Sequence, residues 1–321
     1  MNGRSFPALQ YLQLPIHEAT LDAQNLHFIA PNLSQLRVSG LHYVSALLRS
    51  APLQLFSNIA VLELTSFYYS QETHIHHFAA VLGSASATLQ VLVLREGYFE
   101  VDLSPTSLRK MPATFPRLSF LALEAVAEYP NAEHGVIATL CRAALALERL
   151  HIVGTGFSPV HGYLHSGELQ FPSVRFLRYY IPEDTNWNNF IPAFPRLEEI
   201  QVSGGDPTDM LRSAMSMDVA AARDDGITAW PHLTTLVLFN AHEYIAVRFV
   251  QHRARSGHPL SSVTYAGWFG AQAEQTLKAL AVAFIPLRKS FADGEDYTKD
   301  WIEYWRVASG ELIPQPKRAR R

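Results

Sequence analysis

One cysteine, 17% charged residues and a formal net charge of −3 in 321 residues are the scarcities that set the first limits on this chain. Cys141 has no second cysteine to pair with, so no internal disulfide staples the fold, and the chain suits a reducing compartment. No run approaches the ~18 uncharged apolar residues that cross a bilayer. The best stretch is Ala279 to Leu287. The first twenty residues alternate apolar and polar with prolines at 7 and 15, and so lack the apolar centre of a secretory signal. Neither sign of charge dominates, which removes the electrostatic case for nucleic acid or an anionic membrane as the main partner. These absences predict a soluble intracellular protein with 48% apolar residues available for a core.

What the chain has in quantity is one repeated phrase: an apolar anchor, two variable residues, then Leu-x-Leu or its equivalent. It is spelled Phe6-Pro7-Ala8-Leu9-Gln10-Tyr11-Leu12-Gln13-Leu14, and again Phe115-Pro116-Arg117-Leu118-Ser119-Phe120-Leu121-Ala122-Leu123. The anchors are Leu9, Leu33, Ile59, Leu89, Leu118, Leu147, Val174, Leu197, Leu233 and, less cleanly, Leu260. Their spacing averages about 28 residues, the length of a unit holding one strand and one helix. Leu12 and Leu14, Leu62 and Leu64, or Leu236 and Leu238 have the period-2 alternation of a strand buried on one face. Proline two residues before the anchor, at 7, 31, 116, 172, 195 and 231, marks where one element ends and the next begins. The aromatic residue before most of those prolines is expected to plug the bend from inside.

Helical spacing is predicted for Thr73 to Leu82, Gly135 to Ala146, Asp209 to Ala222 and Glu243 to Arg255. Asp206-Pro207 is an N-cap and first-turn pair for the third of these. Gly154 to Gln170, with four glycines and two histidines, is expected to be a surface loop.

The phrase resembles a leucine-rich repeat, and its Phe-Pro entry with helices of varying length resembles the irregular repeats of fungal F-box proteins. The stretch from Trp230-Pro231-His232-Leu233 to Pro259-Leu260-Ser261-Ser262-Val263 is especially similar. The resemblance covers residues 6 to 266. It implies an α/β leucine-rich repeat solenoid, a curved parallel sheet on the concave side and helices on the convex side. The chain is expected to divide into an array of about ten units over 1–290, a C-terminal capping helix over 291–310, where Tyr297, Trp301, Tyr304 and Trp305 fall on one helical face, and a disordered basic tail over 311–321. In that family the repeats select a target, while an N-terminal F-box binds the adaptor of a ubiquitin ligase. No residues stand ahead of the first phrase to form that module, so adaptor binding is expected only if an F-box lies upstream. The asparagine or cysteine usual after the strand is replaced by His17, Leu41, Phe67, Gly97, Val126, Thr155, Pro182, Gly205 and Ala241. The turns there are expected to lack a hydrogen-bonded ladder and to vary.

With Leu-x-Leu inward, the alternate residues point to the other face of the sheet. Val91, Val93, Phe120, Arg149, His151, Phe176, Arg178 and Gln201 form the middle of that row and are the candidate partner-binding residues. Aromatics beside arginines have the composition of binding hot spots. The other reading is that a loop of the same chain covers Phe120 and Phe176. Chemistry is sparse. His74 and His77 stand one helical turn apart without the further ligands of a zinc site. Gly154-Thr155-Gly156 starts like a dinucleotide loop, but Pro159 stands where that fingerprint needs glycine. Cys141 sits among apolar residues as a core side chain. No catalytic residue, metal site or cofactor is expected, and the protein reads as a non-enzymatic interaction scaffold. The alternatives are a degenerate F-box relative without ligase coupling, or an enzyme built on the 154–170 loop with His161 and His165. Lys317, Arg318, Arg320 and Arg321 resemble a nuclear import signal, so the location expected is cytoplasmic or nuclear.

Overall fold

The computed structural model describes residues 4–14, 28–39, 53–69, 72–100, 111–128, 135–153, 159–181, 185–224, 228–239, 241–266, 270–280 and 283–286. All lie within the unit Met1–Pro286. The expected capping helix and basic tail, with Lys317, Arg318, Arg320 and Arg321, lie outside the described residues.

The fold is α/β. Its strands are β1 (Arg4–Ser5), β2 (Tyr11–Leu14), β3 (Phe28–Ile29), β4 (Gln35–Ser39), β5 (Val61–Tyr69), β6 (Val91–Phe99), β7 (Phe120–Glu124), β8 (Ala127–Glu128), β9 (Arg149–Val153), β10 (Phe176–Ile181), β11 (Glu199–Gly204), β12 (Thr235–Phe239), β13 (Ser262–Ala266) and β14 (Ala283–Pro286). The helices among the described residues are α1 (Glu72–Ala85), α2 (Val136–Ala143), α3 (Pro159–Ser166), α4 (Trp187–Phe190), α5 (Thr208–Asp224), α6 (Glu243–Arg255) and α7 (Ala271–Ala279). A 12-stranded sheet runs in the order β14-β13-β12-β11-β10-β9-β7-β6-β5-β4-β2, with β8 added to β6. Its pairs are all parallel; those from β2 to β13 each join a phrase to the next along the chain, and β14 and β8 add strands outside the phrases.

The repeated phrase explains this order bond by bond. The anchor N–H donates to the carbonyl three residues earlier: Leu9 to Phe6 at 3.1 Å, Leu118 to Phe115 at 3.3 Å, Leu233 to Trp230 at 3.0 Å. That closes a β-turn whose second position suits proline's fixed φ. Phe115, Phe171, Phe194 and Trp230 fill the inside of these turns and are buried. The next two N–H groups then both donate to one carbonyl of the preceding unit. Ser34 and Gln35 reach the Gln10 carbonyl at 3.0 and 3.1 Å, and Thr234 and Thr235 reach that of Glu198 at 2.9 and 3.0 Å. Where the residue after the anchor is Ser or Thr, its hydroxyl adds a bond to the same carbonyl, as Thr234 does to Glu198 at 3.2 Å and Ser261 to Thr234 at 3.0 Å. Asn32 and Asn58, just before their anchors, donate to the carbonyls of Pro7 and Pro31 at 2.6 and 2.8 Å. Links between units also follow the strand: the Ala125 N–H donates to the Val153 carbonyl at 2.6 Å and the Gly205 N–H to that of Ile181 at 3.2 Å.

The core lies between the sheet and its helices. Leu36, Leu62, Leu64, Leu92, Leu94, Leu121, Leu150, Ile200, Val202, Leu236, Leu238 and Val263 are fully shielded, with anchors such as Leu33, Ile59 and Leu197. Burying one such Leu or Ile side chain contributes roughly 1.5–3 kcal/mol. α1, α2, α5 and α6 form close to the predicted spans. Asp206 caps α5 by accepting the Thr208 N–H at 2.8 Å.

The 154–170 stretch departs from the loop expectation. Residues 159 to 166 form α3, whose Val160, His161 and Leu164 are buried, and Gly167 at φ 78° ends it. Glycine count masked a helix whose Val160 and Leu164 join the core and whose His161 meets Tyr179. Several of the post-strand turns lie outside the described residues, and three of those described share one conformation rather than varying. Ser66, Glu96 and Ala125 all adopt left-handed backbone at matching positions in β5, β6 and after β7, at φ 55°, 49° and 51°. Beyond this bend β5, β6 and β8 pair again, Tyr68 with Tyr98 and Tyr98 with Ala127. Among the described residues no helix is long and apolar enough to cross a membrane.

Candidate functional site

The parallel register sorts the side chains on the sheet face away from the core into rows. One row runs Gln35, Val61, Val91, Phe120, Arg149, Phe176, Glu199, Thr235 and Ser262; the next runs Arg37, Glu63, Val93, Ala122, His151, Arg178, Gln201, Val237 and Thr264. All eight candidate residues of this face stand in these two rows, side by side on β6, β7, β9, β10 and β11.

Three kinds of chemistry follow one another across the rows. From β4 to β7 charges alternate and pair. Glu63, buried, meets Arg37 and Arg95 at 3.0 Å each, and Arg95 meets Glu124 at 2.7 Å. In the middle Val91, Val93, Phe120 and Ala122 form an apolar cluster separate from the main core. From β9 to β11 the face is cationic and polar. Arg149 lies over the Phe176 ring at 4.7 Å, and Arg175 approaches the same ring at 5.7 Å while it chelates Glu198 at 2.6 and 2.7 Å. Phe120 meets the His151 ring edge-on at 4.7 Å.

The candidate residues are more shielded than a solvent-facing row implies. Val93, Phe120, His151 and Arg178 are buried and Gln201 has no exposure at all, while Val91, Arg149 and Phe176 are half-buried. Parallel strands stand ~4.8 Å apart, so long side chains in register lie against one another. Arg178 has no carboxylate within ion-pair distance among the described residues, and its Nε lacks a hydrogen-bond partner there. Both amide atoms of Gln201, its register neighbour, lack one too. Burial pulls the Arg178 pKa down, Glu124 opposes that, and Arg95 adds to it.

His151 sits between these groups. Burial, then the charges of Arg178, Arg149 and Arg95, push its pKa down to about 3. The imidazole is therefore neutral in the folded protein and takes a proton more readily once unfolded. Between about pH 6.5 and 3 the unfolded chain binds a proton that the folded chain refuses, so stability is present above pH 6.5 and is lost as pH falls. A drop from pH 7 to 5 is expected to cost about 2 kcal/mol through this group. Urea midpoints at both pH values, compared with His151→Gln, check this. The variant should lose less on acidification than the native chain.

The remaining candidates take structural places. His161 Nδ1 is 2.7 Å from the Tyr179 hydroxyl, both buried, and burial raises the Tyr179 pKa. His74 lies near the Tyr69 ring at 6.2 Å. Cys141 is buried on α2. Gly154, Thr155 and Gly156 lie outside the described residues. Among the described residues no group of three or more His, Cys, Asp or Glu is placed to hold a metal ion. The ion-pair row was missed in the sequence although it has a signal. With phrases aligned on their anchors, Arg37 and Glu63 fall at one offset, Arg95 and Glu124 at another.

Neither the comparison with protein-family models nor that with curated proteins finds a match to this chain.

Proposed function

We propose that the chain is a non-catalytic protein-interaction scaffold, a leucine-rich repeat solenoid. Its concave sheet face captures a target protein, as the substrate-recognition region of F-box proteins in ubiquitin ligases does. One observation carries the reading: strands taken in chain order pair in parallel, so that every unit contributes a side chain to the same continuous rows. Such a face offers a broad surface, with apolar Val91, Val93 and Phe120 beside Arg149, Phe176 and Arg178. That is the composition in which a few anchors carry most of the binding energy. An F-box on the same polypeptide would join the captured target to the ligase adaptor; an array without one holds its target uncoupled. The basic residues Lys317, Arg318, Arg320 and Arg321 are read as an import signal, giving a cytoplasmic or nuclear protein.

Proximity labelling of native chain and a Phe120→Ala, Arg178→Ala variant, expressed at equal levels, tests this. The expected result is loss of the same few neighbours in the variant with the rest unchanged. An identical set of neighbours contradicts it.

A further inference from the structure

Buried polar groups in folded proteins are almost always hydrogen-bonded, and each exception asks for an account. Among the described residues, two register neighbours on this face are such exceptions. Gln201 is fully buried with neither amide atom partnered, and Arg178, 6% exposed, has an unpartnered Nε and no ion pair. The contrast with β4 to β7 lies in charge: the Nε atoms of Arg37 and Arg95 likewise lack a well-aligned hydrogen bond but stand 3.0 and 2.7 Å from the Glu63 and Glu124 carboxylates, whereas Arg178 has no such carboxylate among the described residues. A carboxamide presents one acceptor and one donor side, the pattern of a peptide group, and a guanidinium presents a fork that matches a carboxylate.

We propose, building on the scaffold reading above, that β9 to β11 form the specificity site of the face and take an extended acidic segment of a partner protein. An Asp or Glu of that segment pairs with Arg178, and its backbone exchanges hydrogen bonds with the Gln201 amide. An apolar side chain about four residues along, at ~3.4 Å per residue, settles on Val93 and Phe120, which stand three and two strand steps of ~4.8 Å from Arg178. The segment reaches Arg178 by displacing Phe176 and Tyr180, the half-buried residues on either side of it along β10. His151 stays neutral beside it and adds no competing charge.

The test is selection of random twelve-residue displayed peptides on the purified full chain, followed by affinity measurement of the enriched sequences. Peptides with an acidic residue near an aliphatic or aromatic one are expected. Changing that acid to its amide should weaken binding to the native chain by about ten-fold or more, the scale of one charge-assisted hydrogen bond. It should change binding to Arg178→Met less than two-fold. Gln201→Leu supplies a second readout that leaves the charge in place: it should weaken acidic and amide peptides alike. Circular dichroism and urea midpoints confirm that each variant is folded. Enriched peptides that are neutral or basic, yet lose binding to Phe120→Ala, overturn the acidic proposal while the scaffold reading stands. Peptides indifferent to Phe120, Arg178 and Gln201, or no enrichment at all, overturn both. Preferential binding of a short oligonucleotide in place of acidic peptides likewise overturns the proposal.

Discussion

Replacing Arg253 by methionine is expected to destabilise the folded chain by about 3 kcal/mol, read from the urea midpoint. Arg253 stands on α6 with 1% of its surface exposed, and its guanidinium reaches back to the turn that opens β12, the strand preceding α6. Nη1 donates to the Ala229 carbonyl at 2.9 Å, and Nη2 to those of Trp230 and Leu233 at 3.1 and 3.3 Å. Trp230 is itself in left-handed backbone at φ 44°, a conformation that needs its surroundings to hold it. Methionine fills the space but leaves buried carbonyls without their donor. Burial lowers the Arg253 pKa and Asp218 opposes that. Asp218 in turn accepts the Ala229 N–H at 2.7 Å and faces His252 Nε2 at 3.1 Å, so the network ties α5 and α6 to the same turn. Lysine, a point charge without the fork, is expected to recover only part of the loss. A midpoint unchanged by methionine would show that the turn holds itself.

The second large effect is expected at Gly97. A Cβ there would stand 2.0 Å from the tip of the Phe67 ring, across the β5–β6 pair. An isolated ring tip could swing away. Phe67 is 1% exposed and packed against Tyr69 and Phe99 with centroids 5.3 Å apart in each case. Tyr69, Phe78 and Phe99 close the cluster. Gly97→Ala is therefore expected to cost about 2–3 kcal/mol as overpacking. Phe67→Ala alone costs about 3–5 kcal/mol as a cavity. The double variant should fall well short of the sum, because each change relieves the other. Additive losses would place the strain at Gly97 elsewhere.

Local signals in the sequence were enough for the strands of the ten phrases and for α1, α2, α5 and α6, whereas β1, β3, β8, β14, α4 and α7 had none. The Phe-Pro turn, the anchor and Leu-x-Leu lie within nine residues, so their physics is written in one phrase. α3 was obscured because Gly162 and Gly167 weighed as loop formers, while Val160 and Leu164 show their helical role only once buried in the core. Arg253 and Gly97 gave no local sign, since their partners lie 20 to 30 residues away in sequence. The eight face residues follow from strand alternation and stand in two register rows. Their burial was not foreseen, because shielding depends on which side chains the register brings alongside. Gln201 illustrates this, since it is an ordinary polar strand residue until Arg178 and Val237 flank it.

The central claim is that successive phrases stack as parallel strands in chain order, which makes the face continuous. Spin-label distances in a Cys141→Ala background test it most directly, with one label at Gln35 and the second in turn at Glu199, Thr235 and Ser262, all in one register row. Six, seven and eight strand steps of ~4.8 Å predict separations of about 29, 34 and 38 Å along a flat sheet. The expected result is a steady rise in that order, each value somewhat shorter if the sheet bends as a solenoid does. Distances that are equal, or that fail to follow strand order, would contradict the stack and with it the binding face.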